Sequence, residues 1–345
     1  MNFKSIFITG GAGYVGSSLV PDLLKKNFKI AVYDTMYFGD NFLPKNHPNL
    51  KIIKGDIRDQ NKLKAACEGY DVFIDLACIS NDSSFELNEK LSKSINFDAF
   101  EPMVVSAKEA GIKRFIYAST SSVYGVSKEK NVTEEHPLVP LTLYNKFKGM
   151  CEPLLFKHTD KNFVGVVFRP ATVCGYAPRQ RLDLTVNILT NYAVNKNEIK
   201  VFGGKQLRPN LHIKDYCKAV EILLDTEKNK IENQIFNIGY QNMSINEIAK
   251  LVKDVVEKEY PNKGQINIIK SSSDDNRSYH INSEKIKKVL GFEPKRSVEM
   301  AIKDLCNAFK QGKIINSFEN DLYFNVSRLK NIKAKWYTTK QNKIK

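Results

Sequence analysis

Apolar residues along this chain come in short unbroken runs, and amphipathic stretches separate them. Phe3 to Thr9 (FKSIFIT) is rich in β-branched and aromatic residues, and Gly10-Gly11-Ala12-Gly13-Tyr14-Val15-Gly16 follows at once, with helical spacing from Ser17 to Lys26. Lys29–Tyr33, Leu50–Ile53, Val72–Leu76 and Phe115–Ala118 repeat the strand pattern, separated by helical stretches at 60–68 and 97–110. Strands that are apolar throughout, rather than at alternate positions, are buried on both faces, as in a parallel sheet covered by helices. The alternation predicts an α/β fold with a doubly wound parallel sheet.

Beyond a further strand at Val164–Arg169 the pattern loosens into a loop rich in Pro and Arg (170–182), a helix at 183–195, a short strand near Ile199–Phe202 and a helix at 214–225. Gln234–Gly239 reads as a strand returning to the sheet, and 244–260, 283–290 and 297–311 have helical spacing. This predicts a sheet domain from residues 1–170 and about 200–240. A smaller α/β substrate lobe takes about 171–199 and 241–315, with a C-terminal extension at 316–345.

A chain of 345 residues with 42% hydrophobic content can bury one large core or two smaller ones. It has no run of apolar residues long enough to span a membrane, and Met1-Asn2-Phe3-Lys4 lacks the features of a signal peptide, so a cytoplasmic protein without a membrane partner is expected. The six cysteines (Cys67, Cys78, Cys151, Cys174, Cys217 and Cys306) form no C-x-x-C pair and lie in apolar or helical stretches, which predicts buried thiols rather than disulfides or zinc ligands. No His, Asp or Glu cluster has metal-ligand spacing, so no metal is expected. The formal charge of +15 is spread along the chain, and its densest stretch, Arg328 to Lys345, reads as an exposed basic tail. Nothing resembles a nucleic-acid-binding motif, and no nucleic-acid partner is expected.

The glycines Gly10, Gly13 and Gly16, with Tyr14 and Val15 between them, stand where a first strand turns into a helix. Missing side chains there let a pyrophosphate approach the helix N-terminus. Asp34, at the end of the second strand, is placed to accept from adenosine ribose hydroxyls, and its charge favours NAD over NADP. Asp56, after the third strand, either meets an adenine amino group while Ile57 packs on the ring, or caps the next helix. Leu76 and Ala77 end the fourth strand, where small side chains let a cofactor pass close.

Tyr144 and Lys148 are four residues apart on a helix that begins after Pro140, so they share one face. A nearby ammonium and an oxidised nicotinamide lower a phenol's pKa, which suits it to exchanging a proton with a sugar hydroxyl. Ser119-Thr120-Ser121-Ser122-Val123-Tyr124-Gly125 follows the fifth strand at the edge where such sheets bind ligands, and Thr120 can share that proton.

In this order and spacing, the glycine motif, the S-T-x-x-V-Y-G segment and the Y-x-x-x-K pair resemble the extended short-chain dehydrogenase/reductase family of sugar-nucleotide enzymes, over roughly residues 3 to 311. The resemblance implies a Rossmann domain, NAD as cofactor and a homodimer built on a four-helix bundle. It also implies that Tyr144 is the base, Lys148 holds Tyr144 and the nicotinamide ribose, Thr120 is the hydroxyl partner and Pro170 lies at the cofactor. Family members that are 4,6-dehydratases carry an Asp-Glu pair where this chain has Ser121 and Ser122, which speaks against elimination. A 4-epimerase and a 4-dehydrogenase share the same triad and both remain. A 4-keto reductase, for which NADPH is expected, is disfavoured by Asp34, and a silent NAD-binding sensor or scaffold by the intact Tyr144 and Lys148.

The stretch Arg169–Asn187 and Arg208-Pro209-Asn210-Leu211-His212-Ile213 are similar to a subgroup that includes a GDP-heptose 4-dehydrogenase of bacterial surface-polysaccharide synthesis. Arg179, Arg181, Arg208 and Arg277 are the candidates for the diphosphate of a nucleoside-diphosphate sugar, because a guanidinium fork binds phosphate oxygens in pairs. Asn187 and Asn210 add hydrogen bonds, and Ser80 and Asn81 are candidates to reach the sugar. His212 is expected to have a packing or backbone-bonding role.

Overall fold

The computed structural model describes residues 3–129, 131–272 and 278–332. The apolar runs become β1 (Ser5–Thr9), β2 (Lys29–Asp34), β3 (Leu50–Lys54), β4 (Val72–Asp75), β5 (Arg114–Ala118) and β6 (Val164–Pro170). After them come β7 (Thr172–Cys174), β8 (Glu198–Phe202), β9 (Leu207–His212), β10 (Gln234–Ile238), β11 (Gln241–Ser244) and β12 (Asn267–Ser271). Among the described residues, β10-β6-β5-β4-β1-β2-β3 form one parallel sheet. The chain starts at the centre of the sheet, winds out to β3 and returns to β4 on the other side of β1. The carboxyl ends of β1 and β4 therefore flank a crevice at the point where the winding reverses.

Both faces of the sheet are covered, as continuous apolar strands require. Helices Tyr14–Leu24 and Ile213–Asp225 bury Leu19, Val20, Leu23, Val220 and Leu223 against one face. Helices Gln60–Cys67, Phe100–Glu109 and Leu143–Lys157 bury Leu63, Met103, Val104 and Leu155 against the other, around Phe73 and Phe115, whose rings stack at 4.7 Å. A separate core forms where helices Thr185–Lys196, Ile245–Glu259 and Val298–Lys310 pack on β8 and β12, a two-stranded parallel pair. β8 thus belongs to the smaller lobe, and the chain returns to the large sheet with helix Ile213–Asp225 and β10.

The strands expected from the pattern all form, within two residues at each end. Three departures have local causes. The first helix begins at Tyr14 rather than Ser17, because Gly16 lies inside its first turn. The loop expected over 170–182 contains β7, which pairs with β9. β9 escaped notice because Pro209 argues against a strand. Here Pro209 faces Asn242 of β11, while β7 pairs only from Asn210 onward, so the missing N–H breaks no ladder on that side. The start of the expected basic tail is also corrected. Helix Asn325–Asn331 buries Leu329, and the Arg328 Nε donates to the Tyr37 carbonyl at 2.6 Å.

One buried ion pair joins three elements of the large domain. Arg169 at the end of β6 forks onto Glu152 of helix Leu143–Lys157, with Nε–Oε1 at 2.9 Å and Nη2–Oε2 at 2.6 Å. Ser119, just past β5, donates to the same carboxylate at 2.6 Å. Both charged side chains are 3% exposed, so removing one strands the other away from water. Glu152→Ala should therefore lower unfolding stability by about 3–5 kcal/mol, measured by urea denaturation followed by circular dichroism; a loss well under 1 kcal/mol would mean that water replaces the carboxylate.

Candidate active site

A cleft of about 560 Å³ opens along the carboxyl edge of the sheet, between the large domain and the smaller lobe. At its base the first helix comes off β1 through Gly10, whose φ of +69° and proximity to β4 both exclude a side chain. A Cβ there would stand 2.6 Å from the Ala77 nitrogen. A Cβ on Gly16 would stand 2.2 Å from the Gly11 carbonyl oxygen. Gly10, Gly13, Tyr14, Val15, Gly16, Leu76 and Ala77 all line the cleft, so the turn and the end of β4 form one narrow backbone cradle.

Asp34 lies at the far end of this cradle and accepts from the backbone N–H groups of Ala12 at 3.0 Å and Met36 at 2.8 Å. Burial pushes its carboxyl up, against the pull of those two donors and of Arg179. Asp56 and Ile57 also line the cleft. Asp56 does not cap the next helix; Asp59 does, accepting from the Lys62 N–H at 3.1 Å, while Asp56 carries the Arg58 guanidinium at 2.6–2.9 Å.

Thr120, Tyr144, Lys148 and Pro170 converge on the middle of the cleft. Thr142 caps the helix that carries Tyr144, accepting from the Asn145 N–H at 3.3 Å, and its own hydroxyl donates to Asp82 at 2.6 Å. Burial, reinforced by the negative charge of Asp82, pushes the Tyr144 phenol well above its ordinary pKa, and the Arg181 cation pulls it down. Lys148 was expected to hold Tyr144, but its ammonium bonds the Ala118 carbonyl and lies 4.4 Å from the centre of the Tyr117 ring. Beneath it, Asp75 is fully enclosed, takes the Thr9 hydroxyl at 2.7 Å, and faces the Lys148 charge.

Ser122 is half-buried and links the Thr120 hydroxyl, 2.8 Å away, to the Asn145 side-chain oxygen. Ser121 is buried. Cys78 lines the cleft, whereas the other five cysteines are buried, as expected of all six. Asp75 and Asn145 were not singled out from the sequence, Cys78 was expected only as a buried thiol, and Ser122 was read only as the replacement of a dehydratase carboxylate. They flank recognisable motifs, but only the packing of β4, β5 and the Tyr144 helix brings them together.

The polar residues proposed for the substrate separate into two groups. Ser80, Asn81, Arg179, Arg181 and Arg208 line the cleft. Arg179 lies 3.6 Å from the centre of the Phe38 ring, and its backbone N–H donates to the Ser17 hydroxyl at 3.0 Å, which places it above the glycine turn. Burial, helped by the like charge of Arg181, pushes Arg179 down to about 9. Arg181 pairs with Asp183 at 2.8 Å and donates to Ser80 at 3.0 Å. Arg208 lies 5.2 Å from the centre of the Tyr279 ring.

Asn187 and Asn210 are corrections. Asn187 is fully buried and braces the 175–181 loop, accepting from the Gly175 N–H at 3.0 Å and donating to the Arg181 carbonyl at 2.8 Å. Asn210 donates to the carbonyls of Arg208 and Gln241, at 2.8 and 3.1 Å, inside the small sheet. The Asn81 side chain is likewise occupied, capping a short helix through the Ser84 N–H at 2.9 Å, with its own backbone held at φ 72°. Arg277 lies outside the described residues. His212 has the expected backbone-bonding role, since its Nδ1 accepts from the Lys214 N–H at 3.1 Å to cap the following helix.

A doubly wound sheet with a glycine cradle at its switch point and a phenol and an ammonium on the adjoining helix defines a dinucleotide-dependent enzyme. Residues 6–239 match the family described as NAD dependent epimerase/dehydratase. The chain belongs to that family, and its cofactor is therefore NAD. It is 32% identical over 266 residues to an uncharacterized UDP-glucose epimerase of Bacillus subtilis (strain 168), covering 72% of this chain and 81% of the relative. It is 25% identical over 300 residues to a low-salt glycan biosynthesis protein of Haloferax volcanii, Agl12, covering 85% of this chain and 94% of the relative. Its fold matches the Streptomyces venezuelae dTDP-glucose 4,6-dehydratase DesIV, solved with NAD bound, with a TM-score of 0.79 at 20% identity, over 92% of this chain and 99% of that one. Among the described residues no helix is long and apolar enough to cross a membrane, and no group of three or more metal-ligating side chains occurs.

NAD suits the residues present. The cradle admits backbone but no Cβ, Asp34 stands at its far end, and the buried Nε of Arg179 and Nη2 of Arg181 meet no acceptor among the described residues. A carboxylate facing a ribose repels a 2′-phosphate. Asp34→Ser should therefore narrow the preference for NAD over NADP, read as the ratio of dissociation constants by calorimetry; an unchanged ratio would place Asp34 away from the ribose.

Proposed function

We propose that this chain oxidises a hydroxyl of a nucleoside-diphosphate sugar, at C4, and works as a 4-epimerase or a 4-dehydrogenase. The observation that carries this reading is the convergence of Tyr144, Thr120 and Lys148 midway along a cleft that has the glycine cradle at one end and Arg208 and Tyr279 in its lining. Tyr144, as phenolate, takes the proton of the sugar hydroxyl, and Thr120 shares it through a hydrogen bond. The hydride leaving the same carbon would go to the nicotinamide that bound NAD would supply. Lys148 supplies a fixed positive charge anchored on the Ala118 carbonyl, and that charge also acts on the buried Asp75, whose carboxyl burial pushes up. Arg181 favours the phenolate directly.

The Ser121 and Ser122 hydroxyls favour this reaction over elimination of water. Ser121 is buried, and Ser122 is engaged by Thr120 and Asn145, so neither supplies a carboxyl acid or base. Asp82, a carboxylate in the cleft lining, supports a 4,6-dehydratase as the second reading. We propose a homodimer as well, formed through helices Phe100–Glu109 and Leu143–Lys157, the second of which exposes Leu143 and Met150.

The deciding experiment is incubation of the purified chain with UDP-, GDP- and dTDP-sugars and NAD, following reduced cofactor by absorbance and the product by mass. Loss of two hydrogens with accumulating reduced cofactor means a 4-dehydrogenase. An isomer of unchanged mass means an epimerase, loss of water a dehydratase, and no reaction with any sugar nucleotide ends the proposal. Tyr144→Phe should lower kcat by about a hundred- to ten-thousandfold, with sugar-nucleotide binding retained. The base must be deprotonated and burial holds Tyr144 high, so kcat/KM should rise with pH. Arg181→Met should move that rising limb to higher pH, and a limb that stays in place would remove Arg181 from the tuning of Tyr144.

A further inference from the structure

Segment Asp321–Asn331 lies beyond the span matched by the family model, yet Asn325 and Leu329 line the cleft. Asn325 is 5% exposed, and each of its polar groups holds a different part of the site. Its Oδ1 accepts from Arg179 Nη2 at 2.8 Å, its Nδ2 donates to the Ser80 hydroxyl oxygen at 2.9 Å, and its backbone N–H donates to Asp183 at 2.9 Å. The Ser80 oxygen also accepts from Arg181 Nη1 at 3.0 Å. With two donors on its lone pairs, the Ser80 hydroxyl can act only as a donor to a third group. Ser80, Arg179 and Arg181 all line the cleft, and among the described residues the buried Nε of Arg179 and Nη2 of Arg181 meet no acceptor.

Two buried guanidinium groups and a hydroxyl thus offer donors side by side; Asp183 pairs directly with Arg181 and acts on Arg179 through its charge without a hydrogen bond to it. Such a set is complete only with an anion. The placement of Arg179 decides which anion. Its backbone is tied to Ser17 in the first helix, its guanidinium covers Phe38, and it faces the charge of Asp34, so it stands across from the helix N-terminus that the glycine turn opens.

We propose that Asn325 is a positioning residue of the cofactor site, and that the C-terminal segment closes that site by holding Arg179, Arg181 and Ser80 on the diphosphate of NAD. The segment is itself tied down over the cofactor end of the cleft, where Arg328 donates to the Tyr37 carbonyl at 2.6 Å and Leu329 joins the core on that side of the sheet. The proposal rests on the family's cofactor and not on the chemistry at C4. NAD binding is read without turnover, so either idea can fail alone.

The test uses the full-length chain stripped of nucleotide, with NAD and UDP affinities measured by calorimetry and the melting midpoint recorded without ligand. Asn325→Ala should weaken NAD by about ten- to a hundredfold, the usual cost of a hydrogen bond to a charged group, while UDP affinity and the midpoint stay near wild type. Asn325→Asp should weaken NAD further, because a carboxylate would neutralise Arg179, and Ser327→Ala, on the exposed face of the same helix, should match wild type. Unchanged NAD affinity in Asn325→Ala overturns the proposal. So does a loss confined to UDP, which would give the two arginines to the sugar nucleotide. If Asn325→Ala does not fold, Arg179→Met is read the same way, with weakened NAD expected and unchanged NAD overturning the assignment.

Discussion

The site depends on the buried fork between Arg169 and Glu152. β5 and β6 are neighbours in the sheet, and the Tyr144 helix packs across them; the ion pair fixes how that helix is seated. The same Arg169 donates to the Tyr124 hydroxyl at 2.6 Å, and Glu152 takes the Ser119 hydroxyl, so the segment bearing Thr120 is held from both sides. A pair this deeply buried costs desolvation and is weak as a source of stability. Its effect is registration, because any sliding of the helix would leave a charge unpaired away from water. Tyr144 and Lys148 reach the cleft at fixed heights as a result.

Electrostatics divides the cleft along its length. At the cradle end the surroundings are backbone N–H groups, a helix N-terminus and Arg179, with Asp34 as the terminal acceptor. In the middle, Tyr144 lies among groups that oppose its ionisation, and Arg181 is the nearby cation acting on it. Arg181 is thereby shared between the anion-binding donors and the proton acceptor. Occupancy by an anion would partly cancel its charge at Tyr144, so ligand binding and the proton affinity of the phenol are coupled through one side chain.

The smaller lobe and the C-terminal segment complete what the sheet begins. The sheet domain supplies the cradle and the Tyr144 helix, but Arg179, Arg181 and Asp183 come from the crossover after β7, and Asn325 comes from 142 residues further along the chain than Asp183. Asn187 and Tyr14 brace the crossover from below, the tyrosine hydroxyl donating to the Gly175 carbonyl at 2.6 Å. The two arginines reach the cleft through that bracing.

The sequence by itself determined the parallel sheet, the glycine turn, Asp34 and the Thr120, Tyr144 and Lys148 positions. These follow from local rules: continuous apolar runs demand two covered faces, a tight turn demands glycine, and a four-residue spacing puts two side chains on one helix face. Tertiary structure decided what each polar side chain is used for. Asn187, Asn210 and Asn81 carry the same amide as Asn325, yet only packing turned the first three toward backbone groups and the last toward Arg179 and Ser80. The Lys148 ammonium was drawn to the Ala118 carbonyl rather than to Tyr144 because β5 runs directly beneath it. Hydrogen bonds between residues far apart in the chain leave no periodicity to read, so this part of the site became visible only in the fold.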